Sequence, residues 1–225
     1  TFRQLEEEIR QEGQRYHIRI GASVSVGTKI LPPLLKKLEN LPEKFTYEAT
    51  VDNTSRMEQM IEEYALDLAL VEGAINNPDL IVQDVAEDEL VIVVRKNHPL
   101  AGKEKIMLQE LENYPFVSRE VGSSTRNQLE RFLVEEGIQL KTIYSCSNTE
   151  TVKQAVEYTD GFAILSKMMA QQEIEEGKME ILPLGKREFK RTIRLIYHKN
   201  KFISPEMKIF MELLEKMVKS NDEIK

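Results

Sequence analysis

The spacing of apolar side chains switches back and forth between strand-like and helix-like periods along the whole chain. Tyr16–Gly21 reads as a strand, and Ile30, Leu31, Leu34, Leu35 and Leu38 follow at helical spacing. Pro32 and Pro33 fit only a first turn, so that helix starts beside them. Phe45–Val51 alternates as a strand. Ser55 and Glu58 form a capping box, which opens a helix buried along Met57, Met60, Ile61 and Tyr64. Leu66–Val71 is a near-continuous apolar run of the kind found in buried parallel strands. The order is βαβαβ, a doubly wound α/β unit.

Two extended runs follow, Leu80–Val85 and Leu90–Val94, with acidic residues between them and Asn97, His98 and Pro99 as a stop. The βαβαβ order then repeats. Its strands are Phe116–Arg119, Leu140–Cys146 and Phe162–Leu165. One intervening helix carries Leu129, Phe132 and Leu133 and ends at Gly137. The other carries Val152, Ala155 and Val156, opens on a Ser147/Glu150 capping box and stops at Gly161. Met168–Glu176 is a helix and Arg191–Tyr197 a strand. Ser204 and Pro205 start a last helix with its apolar stripe on Met207, Phe210, Met211, Leu214, Met217 and Val218. Before all of this, residues 2–12 read as the end of a polar helix with Phe2, Leu5 and Ile9 on one side, broken at Gly13. The pattern predicts two α/β units with a break between two sheets.

Composition narrows the picture. A length of 225 residues suits one large domain or two small ones, and 41% hydrophobic with 31% charged residues is ordinary for a globular protein. No apolar run approaches the ~20 residues of a membrane span. The Glu- and Arg-rich start does not read as a signal peptide, and Cys146 has no partner for a disulfide, which together point to the cytoplasm. A chain beginning at Thr1 fits removal of an upstream segment. Net charge is −7, and the one basic run, Lys186, Arg187, Lys190, Arg191 and Arg194, reads as a solvated strand edge. This polypeptide alone is therefore not expected to bind DNA.

The candidate chemistry lies at the carboxyl ends of the strands, where open α/β sheets hold ligands. Four of those ends run into short polar turns that feed helices: Ser23 with Ser25, Thr54 with Ser55, Ser123, Ser124 and Thr125 with Arg126, and Ser147 with Asn148. Free backbone N–H groups and helix dipoles suit an anion there. Each serine or threonine is equally a good cap taken singly. Arg126 opposes the dipole of its own helix, so it either pairs an anion or bridges to Glu120 or Glu130. Glu72, at the end of a buried strand, either meets a ligand amine or lies in a solvated loop. His17, His98 and His198 lack metal-ligand spacing, Cys146 reads as buried rather than reactive, and no GxSxG, P-loop or GxGxxG is present. No cofactor or metal is expected.

Five segments in order resemble the effector-binding domain of LysR-type transcription regulators: HIRIGASVSVGTKILPPLLKKLENLPE, DNTSRMEQMIEEYALDLALVEG, DELVIVVRKNHPLAGKEKIMLQEL, SREVGSSTRNQLERFLVEEGI and SNTETVKQAVEYTDGFAILS, and ahead of them Thr1–Glu12 looks like the tail of a linker helix. The resemblance implies an α/β fold of two Rossmann-like subdomains joined by two crossing strands, like a periplasmic binding protein. It implies a linker end at 1–14, one subdomain at 15–88 plus 189–225 and a second at 89–188. A small anionic metabolite would sit between them on Ser23, Ser25, Thr54, Ser55, Ser123, Ser124, Thr125, Arg126, Ser147 and Asn148. Related loops commonly have glycine where this one has Ser124. DNA would be reached only through an N-terminal winged domain outside this chain. An antiparallel homodimer, or a tetramer, would use the helices near Leu31–Leu38 and Leu129–Leu133. The competing readings are a solute-binding protein of a transporter, which would need an export signal or lipid anchor, and a small-molecule enzyme.

Overall fold

The computed structural model describes residues 16–42, 45–184 and 189–220. The expected helix at residues 2–12, and Lys186 and Arg187 of the basic run, lie outside the described residues. In the first unit, β1 (Tyr16–Ser23) is flanked by β2 (Phe45–Asp52) and β3 (Leu68–Glu72), both parallel to it. Short α1 (Val24–Lys29), α2 (Leu31–Glu39) and α3 (Thr54–Glu62) connect them. Pro32 and Pro33 do sit in the first turn of α2. In the second unit, β5 (Phe116–Arg119) lies between β6 (Thr142–Cys146) and β7 (Phe162–Ser166), parallel to both. Its helices are α4 (Ser124–Glu136), α5 (Thr149–Glu157) and α6 (Lys167–Glu175).

Two long strands cross between the units. β4 (Leu80–Arg95) has 16 residues, and at about 3.3 Å per residue it spans roughly 50 Å. Its antiparallel partner β9 (Phe189–His198) pairs with it from Leu80↔His198 to Leu90↔Phe189. The far end of β4 pairs with β7 and with short β8 (Met179–Ile181). The sheet order is therefore β2-β1-β3-β9-β4-β7-β5-β6, with β8 on β4. The expected break between two sheets is absent, because hydrogen bonding runs on through the crossing pair. The runs Leu80–Val85 and Leu90–Val94 are likewise one strand, bulged between Asp84 and Ala86. The acidic stretch stays extended because it faces bases directly across the ladder: Asp84 opposite Arg194, Asp88 opposite Arg191, and Glu89 opposite Lys190.

The units are told apart by their cores. β1, α2, β3 and the last helix, α7 (Pro205–Ser220), bury Ile18, Ile20, Leu34, Leu68, Leu70, Phe210 and Leu214 together. The opposite face of β3 packs Ala69 and Val71 on Met57 and Ile61 of α3. This two-sided alternation explains why LALVE is buried throughout. The second unit repeats the plan. Ile92, Val94, Leu129 and Phe162 pack on one face, and Val91, Val93, Val152 and Val156 on the other.

One tie at the base of the first unit has a measurable acid signature. Asp67 accepts from the Arg19 backbone N–H at 2.7 Å and side chain at 2.8 Å, and from Lys201 at 2.5 Å. Burial, the largest single influence, pushes its carboxyl up, but those cationic and backbone donors together outweigh it and bring the pKa down to about 2 from 3.8. The folded value lies below the unfolded one, so the tie contributes fully above pH ~4 and is lost as pH falls toward 2. A shift of this size corresponds to at most about 2.5 kcal/mol, and roughly 1–2 kcal/mol once the partly exposed Arg19 is discounted. Asp67→Asn is expected to lower the melting temperature at pH 7 by several degrees and to flatten its decline between pH 4 and pH 2.

Candidate functional site

Arg191 organises the junction between the units. The alternation of β9 puts it on the same face as Ile193 and Leu195, which are core residues, and so it is buried. Its Nε donates to Asp88 of β4 at 2.7 Å, and one terminal nitrogen to Thr125 Oγ1 of α4 at 2.8 Å. The other terminal nitrogen donates to Ser25 Oγ of α1 at 3.0 Å and to Glu72 of β3 at 3.1 Å. One guanidinium thus holds both units and both crossing strands. The reading of this run as a solvated edge is corrected: Arg191 is buried, and Arg194 pairs with Asp84 at 2.8 Å and donates to the Gly73 carbonyl. Lys190 stays outside, 3.5 Å from Glu87. Nor is Glu72 in a solvated loop; it is 2% exposed and bound to Arg191. Burial pushes the Asp88 carboxyl up, against the pull of Arg191 and of Ser166, whose hydroxyl donates to it at 2.7 Å.

The hydroxyls of the strand-end turns converge here. Ser23, Ser25, Thr54, Ser123, Ser124 and Thr125 surround one small space with Arg119, Glu72 and Arg191. That space is about 10 Å³, room for about one water molecule. Neither Ser23 nor Ser123 spends its hydroxyl on capping the helix that follows it. Ser23 instead donates to the Leu70 carbonyl at 3.4 Å, and Thr54 to the Glu72 carbonyl at 3.3 Å. Ser124 Oγ is buried with no partner. The units touch beside it: the Ser55 N–H donates to the Gly122 carbonyl at 3.3 Å. Gly73, at φ +90°, leaves the gap that Ser124 fills, since a β-carbon there would lie 2.5 Å from Ser124 Oγ.

Next to this space a larger chamber of about 410 Å³ opens between α3, α4 and β9. It shares Thr54, Glu72, Ser124 and Arg191, and adds Ser55, Glu58, Arg131 and the edge-on pair Phe132–Phe189.

Three predicted residues stand apart. Arg126 donates to Glu130 at 2.6 Å and to the Arg119 carbonyl at 3.3 Å. Ser147 and Asn148 are exposed. The Ser147 carbonyl takes a bond from Arg119 at 3.2 Å, and Asn148 caps α5 by accepting from the Thr151 N–H at 2.7 Å. Asn53 caps α3 in the same way, accepting from the Arg56 N–H at 3.0 Å. The two expected capping boxes, Ser55/Glu58 and Ser147/Glu150, are therefore replaced by asparagines that sit in extended conformation just ahead of each helix. Nor does Gly161 end α5. That helix stops at Glu157, whereas Gly137 does end α4 in the left-handed conformation.

Sequence reasoning passed over Arg191, Asp88 and Arg119. Arg119 is buried, holds Glu120 at 2.8 Å and reaches Thr149 Oγ1 at 3.5 Å. A signal for Arg191 was present in RTIRLIY, because the even spacing of Arg191, Ile193 and Leu195 marks one face. The histidines serve local structure. His17 bonds Thr46, His198 bonds Tyr64, and His98 accepts from the Leu100 N–H at 3.1 Å and donates to the Asp160 carbonyl. Cys146 is buried, which pushes its thiol up. Among the described residues no helix is long and apolar enough to cross a membrane.

Comparison with known proteins meets this geometry. The family model "LysR substrate binding domain" matches residues 11–219. The HTH-type transcriptional regulator CysL of Bacillus subtilis is 30% identical over 198 residues, covering 88% of this chain and 66% of that protein. The regulatory domain of Synechocystis PCC6803 CcmR, solved in complex with 2-PG, superposes with a TM-score of 0.84 at 23% identity over 92% of this chain and 98% of that one. The effector binding domain of QuiR, in complex with shikimate, gives 0.82 at 24% identity over 92% and 98%. With nearly its whole length matched by the family model and the fold shared with these regulators, the chain belongs to the LysR substrate binding domain family.

Proposed function

We propose that this chain is the sensor of a LysR-type transcription regulator and takes a small anionic metabolite between its two units. The observation that carries the proposal is the convergence of six hydroxyls from both units on the buried Arg191, with Ser124 Oγ left unpartnered among them. Ser25 and Thr125 accept from Arg191, Ser123 does not cap its helix and Ser124 has no partner, so these hydroxyls are donors free to turn toward an acid group. The N-termini of α3 and α4 add favourable dipoles. Two proteins of the same fold carry small molecules, 2-PG in CcmR and shikimate in QuiR, which supports a ligand of that size. The proposed units are 15–88 with 189–225, and 89–188. Ser55 stands at the mouth of the adjoining chamber. Arg126 and Ser147 bond Arg119 and Asn148 caps α5, and none of the three lines the hydroxyl cluster.

A ligand of several atoms exceeds the 10 Å³ space, so it enters as the units part and engages both as they close. Binding both at once favours one relative orientation. In a homodimer, that rotation would reach an N-terminal winged DNA-binding domain outside this chain and bias its hold on an operator. The compartment would be the cytoplasm, where such an operator lies. Ser23→Ala and Thr125→Val should each weaken binding of the anion about tenfold, since each removes about one polar contact to a charged group. Titration calorimetry on parent and variants measures this, and equal affinities across all three proteins would overturn the proposed contacts.

A further inference from the structure

The chamber beside the hydroxyl cluster says more about the ligand than its acid group. At about 410 Å³ it falls in the range of cavities that hold organic ligands, far larger than one oxyanion requires. Three charged side chains on its wall have no ion pair among the described residues: half-buried Glu58 of α3 from one unit, and Arg131 and Glu135 of α4, both exposed, from the other. Most other charges on its wall are already matched. Arg191 holds Glu72 and Asp88, Arg194 holds Asp84, and Lys190 lies beside Glu87. Glu58 has no hydrogen bond or ion pair among the described residues, although it is half-buried, and burial with Glu62 nearby pushes its carboxyl up. Arg131 spends one bond on the Asn127 carbonyl at 3.3 Å and has no acidic partner among the described residues. Ser124 Oγ, buried and unpartnered, lies on the boundary shared with the hydroxyl cluster. A desolvated carboxylate without a cation is unfavourable, and a donor group placed against it relieves that cost.

From these features we infer that the ligand is an organic acid with a hydrogen-bond-donating group on its body, an amino acid or a hydroxy acid, rather than a bare oxyanion. This rests on the proposed cleft. The acid group occupies the hydroxyl cluster through Ser124. The body fills the chamber, with its amine or hydroxyl on Glu58 and any second acceptor on Arg131. Glu58 is then the residue that selects donor-bearing acids.

The test is calorimetry on this chain with sulfate, phosphate, the twenty standard amino acids, phosphoserine, malate and citrate as probes, repeated on Glu58→Gln and Ser23→Ala. Glu58 lies on the surface of a helix, so its conservative variant should fold, which circular dichroism checks. The expected result is that a probe with both an acid and a donor group binds more tightly than sulfate or phosphate. Its affinity should fall about tenfold in Glu58→Gln, while that of sulfate changes less than twofold. Sulfate or phosphate binding as tightly as every organic probe would overturn the inference, and so would a best organic probe indifferent to Glu58→Gln. If Ser23→Ala still weakened binding in those cases, the cleft proposal would stand without it. Absence of heat from every probe would also overturn this ligand class.

Discussion

Arg191→Ala is expected to lower the stability of the chain by about 3–5 kcal/mol, because it leaves two buried carboxylates without their cation. The side chains of Arg191, Glu72 and Asp88 are 2%, 3% and 1% exposed, so water does little to screen the loss. For a chain of this size, that corresponds to a melting temperature lower by roughly 6–20 °C. Arg191→Lys should recover only part of it. An ammonium keeps the charge but cannot reproduce a planar fork that reaches Asp88, Thr125, Ser25 and Glu72 at once. The triple variant Arg191→Met, Glu72→Gln, Asp88→Asn separates stability from function. With the charges gone together, most of the stability should return, since buried ion networks are seldom better than matched neutral ones. Anion binding should not return. Thermal melts of the three proteins check this, and a loss below about 1 kcal/mol in Arg191→Ala would mean the network is not closed to water in solution.

Gly73→Ala is expected to act on the cleft itself. At φ +90° any side chain strains the backbone, at a cost of about 1–2 kcal/mol. The added β-carbon also meets Ser124 of the opposite unit, at 2.5 Å from Oγ and 3.0 Å from Cβ. Rotating the hydroxyl away does not remove the second contact, so the two units must separate by a few tenths of an ångström. The hydroxyl shell then no longer fits around one acid group, and affinity should fall more than tenfold while the chain still folds. Ser124→Gly in the Gly73→Ala background removes both clashing atoms but not the backbone strain. Relief of the clash should therefore restore closure without restoring all of the stability. Calorimetry and melting curves on the pair distinguish the two effects.

Much of this architecture was legible in the chain. The switching apolar period placed both βαβαβ units, and the apolar stripe of Pro205–Ser220 marked the face that packs on Ile18, Ile20 and Leu34. The Ser/Thr-rich strand ends pointed to the hydroxyls that meet at Arg191, because the turns after the carboxyl ends of strands in an open sheet lie along one predictable edge. What stayed hidden depends on pairing across the molecule. The continuity of β4 through its acidic stretch depends on bases opposite it in β9, more than a hundred residues away. The choice between Asn53 and Ser55, or between Asn148 and Ser147, as cap turns on which residue is extended when the helix begins, and composition alone leaves both open. Arg126 was placed in the correct turn, but its side chain follows the i,i+4 geometry of α4 to Glu130. The buried role of Arg191 was masked by its neighbours Lys190 and Arg194, whose charges make the run look solvated.

The proposed cleft, taking an acid between the two units, is tested most directly by identifying what the chain carries from the cell. Native mass spectrometry of the purified chain, followed by calorimetry with the metabolite so identified, makes that measurement. The expected result is one small organic acid per chain, bound about tenfold more weakly by Ser23→Ala and by Thr125→Val. A bound metabolite without an acid group, or one held equally tightly by parent and both variants, would contradict it.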